Sequence, residues 1–521
     1  MTLGDLIIVL DNGSQTTQLI AKRLRKRGFY TEVCAYNKPL EQIIAKMPKG
    51  IILSGSPASV HDEKAPTVPK ELYDQATLLE ISLMGICYGT QLTAHLWNGE
   101  VEHSSKREYG RAPVTVDKSH PLFEGLPKKF ISWMSHGDKV TKLPQGFMEI
   151  ASTENCKYAA IAGPNFVGLQ FHPEVTHTEH GSDILENFAR KLCKMQPTWT
   201  PGNFIARTTE EVKKLVGDTL VVGGMSGGVD SSTMSVLLHK ILGSQYNAIF
   251  VNNGLLRENE AEQVQETFKR HFNMNLIYVD ASERFLDSLK GVTSPDEKRK
   301  IIGREFIHAF NDAVIRNFGT MPKYLAQGTL YTDVIESVSV HGGPTSKIKR
   351  HHNVGGLPPE TLALFKGLVE PFRFLFKDDV REVAQELEMP YEIIGRHPFP
   401  GPGLAVRIIG EITPEKLYIA RKSDAIFVEE LKKHNLYDKV WQSLTVVTDT
   451  RTIGVQGDEH SYSYVVALRS VDSVDGMTAD WSRLPHPFIA DVSTRITNEV
   501  KGVNRVVYDV TSKPPGTIEW E

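Results

Sequence analysis

The chain has 521 residues, 40% hydrophobic and 23% charged, with a formal net charge of −4. That length is too great for a single hydrophobic core and predicts about three domains. The charge balance gives no electrostatic case for nucleic acid or an anionic membrane, no apolar run is long enough for a transmembrane helix, and Met1–Asp5 carry no signal-peptide pattern.

The first third, residues 1–197, alternates strand and helix signals. Leu6–Leu10 reads as a strand that runs through Asp11–Ser14 into a helix ending near Arg27. Gly50–Leu53 is a second strand, followed by Ser54-Gly55-Ser56-Pro57. A third, Ile81–Ile86, leads into Cys87 and a helix from Gln91 to Trp97. This alternation predicts a parallel sheet with reactive groups at strand carboxyl ends. Gly85-Ile86-Cys87-Tyr88-Gly89 has the form of a nucleophile elbow with cysteine at its centre. A helix N-terminus behind Cys87 favours an anionic sulfur. A nucleophilic thiol needs a base, and the base needs an orienting acceptor. His172 and Glu174, after the strand Val167–Phe171, supply both types. Ser135-His136-Gly137-Asp138 reads either as substrate support or as a polar turn. The four cysteines, Cys34, Cys87, Cys156 and Cys193, are widely spaced and point to a reducing, cytoplasmic compartment.

Gln196–Gly202, with two prolines, marks a linker. Residues 198–400 form the second predicted domain, again a parallel α/β sheet. Its centre is Ser226-Gly227-Gly228-Val229-Asp230-Ser231-Ser232, between an apolar strand and a helix that continues through Thr233–His239. Glycines let a backbone approach a phosphate, and helix N–H groups with serine hydroxyls supply donors. This is no Walker A loop, because it has no lysine. Asp230 is a candidate Mg²⁺ contact. Asn247–Val251, Leu276–Asp280 and a strand at Leu325 follow. Asp333 and Glu336 are read either as further Mg²⁺ carboxylates or as solvated loop acids. The basic run Ser346–Asn353 is read either as a solvated face or as a mobile lid over an ATP site.

Arg396–Gly403 is too rich in proline and glycine for an element interior and sets the next boundary. Residues 401–521 predict a small α+β domain, with strands at Ser443–Val447, Tyr464–Arg469 and Arg505–Val510 and a helix starting at Asp491. The fold class is therefore α/β, with two parallel-sheet domains and a small α+β C-terminal domain.

The seven-residue loop resembles the pyrophosphate-binding signature of ATP pyrophosphatases. Residues 1–190 resemble class I glutamine amidotransferases in Ser54-Gly55 with Pro57, in the Cys87 elbow with Gln91, and in Phe171-His172-Pro173-Glu174. That resemblance implies that Cys87 attacks the amide of glutamine, that His172 moves protons and that Glu174 orients His172. It further implies an oxyanion hole at the backbone of Gly55 and Tyr88, and substrate contact by Gln91. Over its whole length the sequence resembles the glutamine-hydrolysing GMP synthetase family, most closely in Lys349–Pro358, Arg396–Leu404 and Ser512–Glu521. The implied reaction has three small-molecule substrates: ATP with Mg²⁺, xanthosine monophosphate (XMP) and glutamine. Arg299, Arg469, Lys513 and Glu519 are the implied XMP residues and Lys349 the lid residue. A homodimer through the C-terminal domain is implied, with no nucleic acid and no membrane. Asn252 departs from the family, where aspartate is expected.

Overall fold

Five consecutive buried residues, Ile7–Asp11, form the first strand, as a strand covered on both faces requires. In this computed structural model residues 5–331, 333, 365–456, 459–473, 476 and 478–521 are described. The expected lid residue Lys349, with the rest of Ser346–Asn353, Val354–Pro358 and Glu336, lies outside them. The described chain divides between Phe204 and Ile205 into two units, each with its own core.

The first unit contains β1 (Ile7–Asp11), β2 (Thr31–Ala35), β3 (Gly50–Leu53), β4 (Ser82–Ile86), β5 (Glu100–Val116), β6 (Lys129–Lys142), β7 (Met148–Ser152), β8 (Ala160–Gly163) and β9 (Phe166–Leu169). They form one sheet in the order β2-β1-β3-β4-β9-β8-β7-β5-β6. The expected parallel sheet is the β2-β1-β3-β4-β9 flank. The other flank is antiparallel. Parallel neighbours need a long crossover, whereas the turn between β8 and β9 is only Pro164-Asn165. β4 lies between β3 and β9, with Leu53 opposite Gly85 and Leu169 opposite Ile86. The loops that follow these three strands therefore emerge side by side.

The second unit holds β10 (Val221–Gly224), β11 (Tyr246–Asn252), β12 (Leu276–Asp280), β13 (Tyr324–Ala326) and β14 (Gly367–Val369), all parallel, in the order β12-β11-β10-β13-β14. The winding direction reverses between β10 and β13. A crevice opens at such a switch point beyond the strand carboxyl ends, which is where the Ser226–Ser232 loop begins. A second sheet has β15 (Gln442–Gln456) antiparallel to β16 (Glu459–Asp472), with β17 (Asp480–Trp481) antiparallel and β18 (Val503–Tyr508) parallel to β16. Helices Pro414–Lys433 and His486–Glu499 accompany it. Val222, Ile249 and Leu325 belong to the same buried cluster as Leu404, Ile419, Phe427, Val466 and Val492. The expected boundary at 400/401 thus parts two sheets that share one core. Among the described residues, no helix is long and apolar enough to cross a membrane.

Candidate functional site

In the first unit, Cys87 directly follows β4 and caps the helix Tyr88–Leu96. Its φ is +51°, a left-handed value that costs a non-glycine residue about 1–3 kcal/mol. The flanking glycines are dictated by crowding. A Cβ on Gly85 would lie 2.6 Å from the amide nitrogen of Thr90, and one on Gly89 would run into the carbonyl of Leu53. The elbow is pinned by Cys87 N donating to Leu169 O at 2.7 Å and by Thr90 N donating to Cys87 O at 3.0 Å. Cys87 is 6% exposed, and its thiol has Ser135 O at 3.6 Å and Gln170 Nε2 at 3.7 Å.

His172 emerges just after β9, held by its N–H to Trp133 O at 3.0 Å and by Thr178 Oγ1 donating to its carbonyl at 2.6 Å. Its Nδ1 is 2.7 Å from Glu174 Oε1, and the ring also engages the Cys87 thiol. Burial opposes a charge on this imidazole, but the Glu174 carboxylate and the thiol outweigh it and hold its pKa well above the ordinary histidine value. Glu174 is buried, and its Oε1 also accepts from Thr16 Oγ1 at 2.7 Å. Arg23 Nε donates to the Glu174 carbonyl. A Cβ on Gly55 would lie 3.3 Å from His172 Cε1, so the Gly55 backbone borders the same imidazole. Tyr88 opens the helix, where the first N–H groups have no intrahelical partner. Gln91 is buried, and its Nε2 donates to Asp138 O at 2.7 Å and to Gln170 Oε1 at 3.3 Å. Cys87, His172, Glu174, Gly55, Tyr88 and Gln91 are therefore gathered around the carboxyl ends of β3, β4 and β9. Thr16 and Arg23, more than a hundred residues from Glu174, were missed, and no local signal marked them. A thiol, a buried imidazole and an orienting carboxylate in this order can carry out acyl transfer.

In the second unit, the loop after β10 enters the helix Val229–Leu242. Gly227 has φ +78°, which only glycine adopts freely. Ser226 N donates to Ser231 Oγ at 3.1 Å, the Ser226 and Ser231 hydroxyls are 2.9 Å apart, and Ser232 N donates to Gly228 O at 3.0 Å. Arg396 Nη1 braces the loop from Gly227 O at 3.1 Å and pairs with Glu260 Oε1 at 3.2 Å. Ser226 and Gly228 stay exposed, while Val229 and Ser232 are buried. Asp230 Oδ1 is buried without a hydrogen-bond partner. Burial pushes the Asp230 carboxyl up, Asp333 adds to the shift, and Lys377 and Arg381 oppose it. These two cations stand one turn apart on the helix Lys377–Glu386. The sequence reading passed over them, although a cationic pair four residues apart on a helix was a visible signal. At Asn252 the amide takes the expected aspartate's place as a turn cap, with Oδ1 accepting from Gly254 N at 3.0 Å and Nδ2 donating to Tyr278 at 3.1 Å.

The remaining four predicted residues gather on the C-terminal tail. Arg299 Nη2 donates to Glu521 O at 2.5 Å, beside the buried Lys298, which pairs with the Glu521 side chain. Glu519 receives a two-pronged contact from Arg407 at 3.1 and 3.0 Å and a third bond from Gln442 at 2.8 Å. Lys513 Nζ donates to Gly476 O at 2.7 Å. Arg469 is 1% exposed, and its guanidinium donates to Ile518 O, Thr517 O, Thr511 O and Asp509. The structure thus brings Arg299, Glu519 and Lys513 to the tail, and it commits Arg469 to holding that tail.

Residues 8–192 match the family described as glutamine amidotransferase class-I, and residues 429–520 match the GMP synthase C terminal domain. The glutamine-hydrolysing GMP synthase of Thermosipho melanesiensis is 53% identical over 99% of both chains. The chain belongs to the glutamine-hydrolysing GMP synthase family. A second family member, from Carboxydothermus hydrogenoformans, is 51% identical over the full length of both chains. A solved glutamine amidotransferase from Methylobacillus flagellatus is 20% identical, with a TM-score of 0.29, covering 37% of this chain and 76% of its own. The similarity to GMP synthases thus runs over both units.

Proposed function

We propose that the chain makes GMP from XMP, ATP and glutamine, with glutamate, AMP and pyrophosphate as the other products. The observation that carries this reading is the presence of both the Cys87–His172–Glu174 constellation and the Ser226–Ser232 loop in one full-length member of the family. A stand-alone glutaminase is not favoured, because the match to GMP synthases runs over both units.

The Cys87 sulfur attacks the side-chain amide carbon of glutamine. His172 takes the thiol proton and returns it to the departing ammonia, while Glu174 fixes the ring. Backbone N–H groups of Gly55 and Tyr88 hold the oxyanion, and Gln91 lines the substrate. Water then cleaves the thioester at Cys87 to release glutamate. In the second unit the C2 oxygen of XMP attacks the α-phosphorus of ATP, and pyrophosphate leaves against Ser226, Gly227, Gly228, Val229, Ser231 and Ser232. Ammonia then displaces AMP from C2, which yields GMP. Lys377 and Arg381 add positive charge beside the phosphate loop, and Lys349 acts as the lid cation. Arg299, Lys513 and Glu519 address XMP, and Arg469 serves that site through the tail.

ATP chemistry implies Mg²⁺. The residues fit it, since the buried Asp230 Oδ1 has no hydrogen-bond partner and the charge of Asp333 acts on Asp230. Asp230 and Asp333 would hold the ion, which when bound with ATP neutralises the leaving pyrophosphate. The proposed setting is the cytoplasm, with small-molecule partners and a second copy of the chain. Exposed Ile453, Val455 and Tyr462 on the β15–β16 hairpin give the C-terminal domain an apolar surface for that copy.

Product analysis on wild type and Cys87→Ala tests the reading. Each protein is mixed with Mg²⁺-ATP, XMP and either glutamine or ammonium, and GMP, AMP and pyrophosphate are counted. GMP from both nitrogen sources in wild type, and from ammonium alone in the variant, is expected. No GMP from folded wild type with either source would overturn the proposal.

A further inference from the structure

We propose that Glu108, His136 and Cys156 form a zinc-binding site in the first unit, separate from the Cys87 constellation. β5 and β6 place Glu108 and His136 directly opposite each other, just past a register shift in the ladder. Cys156 comes from the turn between β7 and β8. That turn is closed by Thr153 N donating to Cys156 O at 2.9 Å and by Cys156 N donating to Thr153 Oγ1 at 3.0 Å. All three residues are buried, and one ligand atom from each lies within 4.8 Å of the other two. Glu108 Oε2 and His136 Nε2 are already 3.2 Å apart. Bonds of about 2.0–2.3 Å to a tetrahedral zinc separate neighbouring ligands by roughly 3.3–3.8 Å, so a modest contraction of this cluster would supply three of the four positions, with water as the fourth.

The cluster also contains a buried polar atom without a partner. Glu108 Oε2 and His136 Nε2 face each other at 3.2 Å, and His136 Nδ1, buried, has no hydrogen-bond partner. Such atoms are rare in protein interiors and call for an ion or a water. The other carboxylate oxygen, Oε1, accepts from Thr153 Oγ1 at 3.0 Å, an outer contact that turns Oε2 toward the imidazole. One thiolate, one imidazole and one carboxylate suit Zn²⁺, whereas Mg²⁺ and Ca²⁺ require an oxygen set. Burial and the Glu108 charge push the Cys156 thiol up, and a divalent ion bound by its thiolate and the Glu108 carboxylate would offset both, leaving no net charge on the three. A groove of about 450 Å³ lined by Lys139, Ser152, Thr153, Glu154, Asn155 and Tyr158 lies along the same turn. The bound ion would tie β5, β6 and the Cys156 turn together. Ser135, whose carbonyl faces the Cys87 thiol, directly precedes His136 on β6.

Cobalt titration of the full chain tests this after chelator treatment and dialysis, with no ATP present. Equimolar Co²⁺ binding is expected, with tetrahedral d–d absorption and a thiolate-to-cobalt charge-transfer band. That band should persist in Cys87→Ala and vanish in Cys156→Ser. Zn²⁺ should displace the cobalt and raise the thermal midpoint of wild type without raising that of Cys156→Ser. Glu108→Gln, a second variant that keeps the thiol, should weaken binding by about tenfold or more. An absent band in wild type, or a band lost in Cys87→Ala and kept in Cys156→Ser, would overturn the proposal.

Discussion

His397 is a proton-sensitive joint in the second unit. Its ring stacks on Tyr437 at 3.9 Å, Nε2 lies 2.9 Å from Tyr437 O, and Nδ1 accepts from Ser443 N at 3.2 Å. Nε2 therefore carries the hydrogen, and a second proton on Nδ1 would break the bond to Ser443. Burial pushes the imidazole down from 6.5 to about 4, against the opposing effect of the Tyr437 carbonyl. Between those values the unfolded chain binds a proton that the folded chain refuses. The His397 contribution is complete above pH 6.5 and is lost as the pH falls toward 4. The gap from 6.5 to about 4, at about 1.4 kcal/mol per pH unit, totals about 3.5 kcal/mol well below pH 4, of which about 3 kcal/mol is lost by pH 4. Urea unfolding of wild type and His397→Gln, followed by hydrogen exchange in peptides from Gln442–Gln456, measures it. The stability difference between the two proteins should shift by about 3 kcal/mol in favour of the variant between pH 7 and pH 4. A difference that stays constant with pH would refute the reasoning.

Glu174→Gln should lower glutamine-dependent GMP formation by roughly two to four orders of magnitude and leave the ammonium-dependent rate unchanged. Because Glu174 raises the His172 pKa, the limb of the glutaminase pH profile that marks loss of the imidazolium should move to lower pH in that variant. Asp230→Asn should raise the thermal midpoint of the ligand-free protein at pH 7, since the folded state disfavours the ionised carboxylate there. The same change should cut pyrophosphate release from ATP, read with ammonium as nitrogen source. Arg469→Lys replaces a planar fork with a point charge. Hydrogen exchange of residues 511–521 should rise, and the KM for XMP should rise more than the KM for ATP.

The catalytic motifs were legible because their constraints are local. Gly85 and Gly89 flank Cys87 because the elbow crowds its own neighbours, and that spacing is visible in the sequence. Gly227 at positive φ, ahead of a helix, is equally local. The antiparallel half of the first sheet was not legible. Strands beyond residue 100 carry the same apolar signal whichever way they run, and the lengths of the connections decide the direction. The shared core of the second unit was hidden for a similar reason. A proline- and glycine-rich stretch at Arg396–Gly403 reads as a boundary, yet Leu404 and Ala405, just beyond it, are buried against the parallel sheet.

The sequence by itself determined the α/β character, and its resemblance to known motifs gave the family; it also marked Cys87, His172, Glu174 and the Ser226–Ser232 loop as candidates, because each rests on residue types in short, local patterns. Tertiary structure alone decided what surrounds them. Thr16 reaches Glu174 across 158 positions, and Arg407 meets Glu519 across 112. Lys377 and Arg381 come to bear on Asp230 only because the two helices pack together. Arg469 holds the tail through the carbonyls of Thr511, Thr517 and Ile518, contacts that its position in the sequence does not announce. Burying a charge is tolerable only beside a partner, and a partner far along the chain leaves no periodicity for a sequence to display.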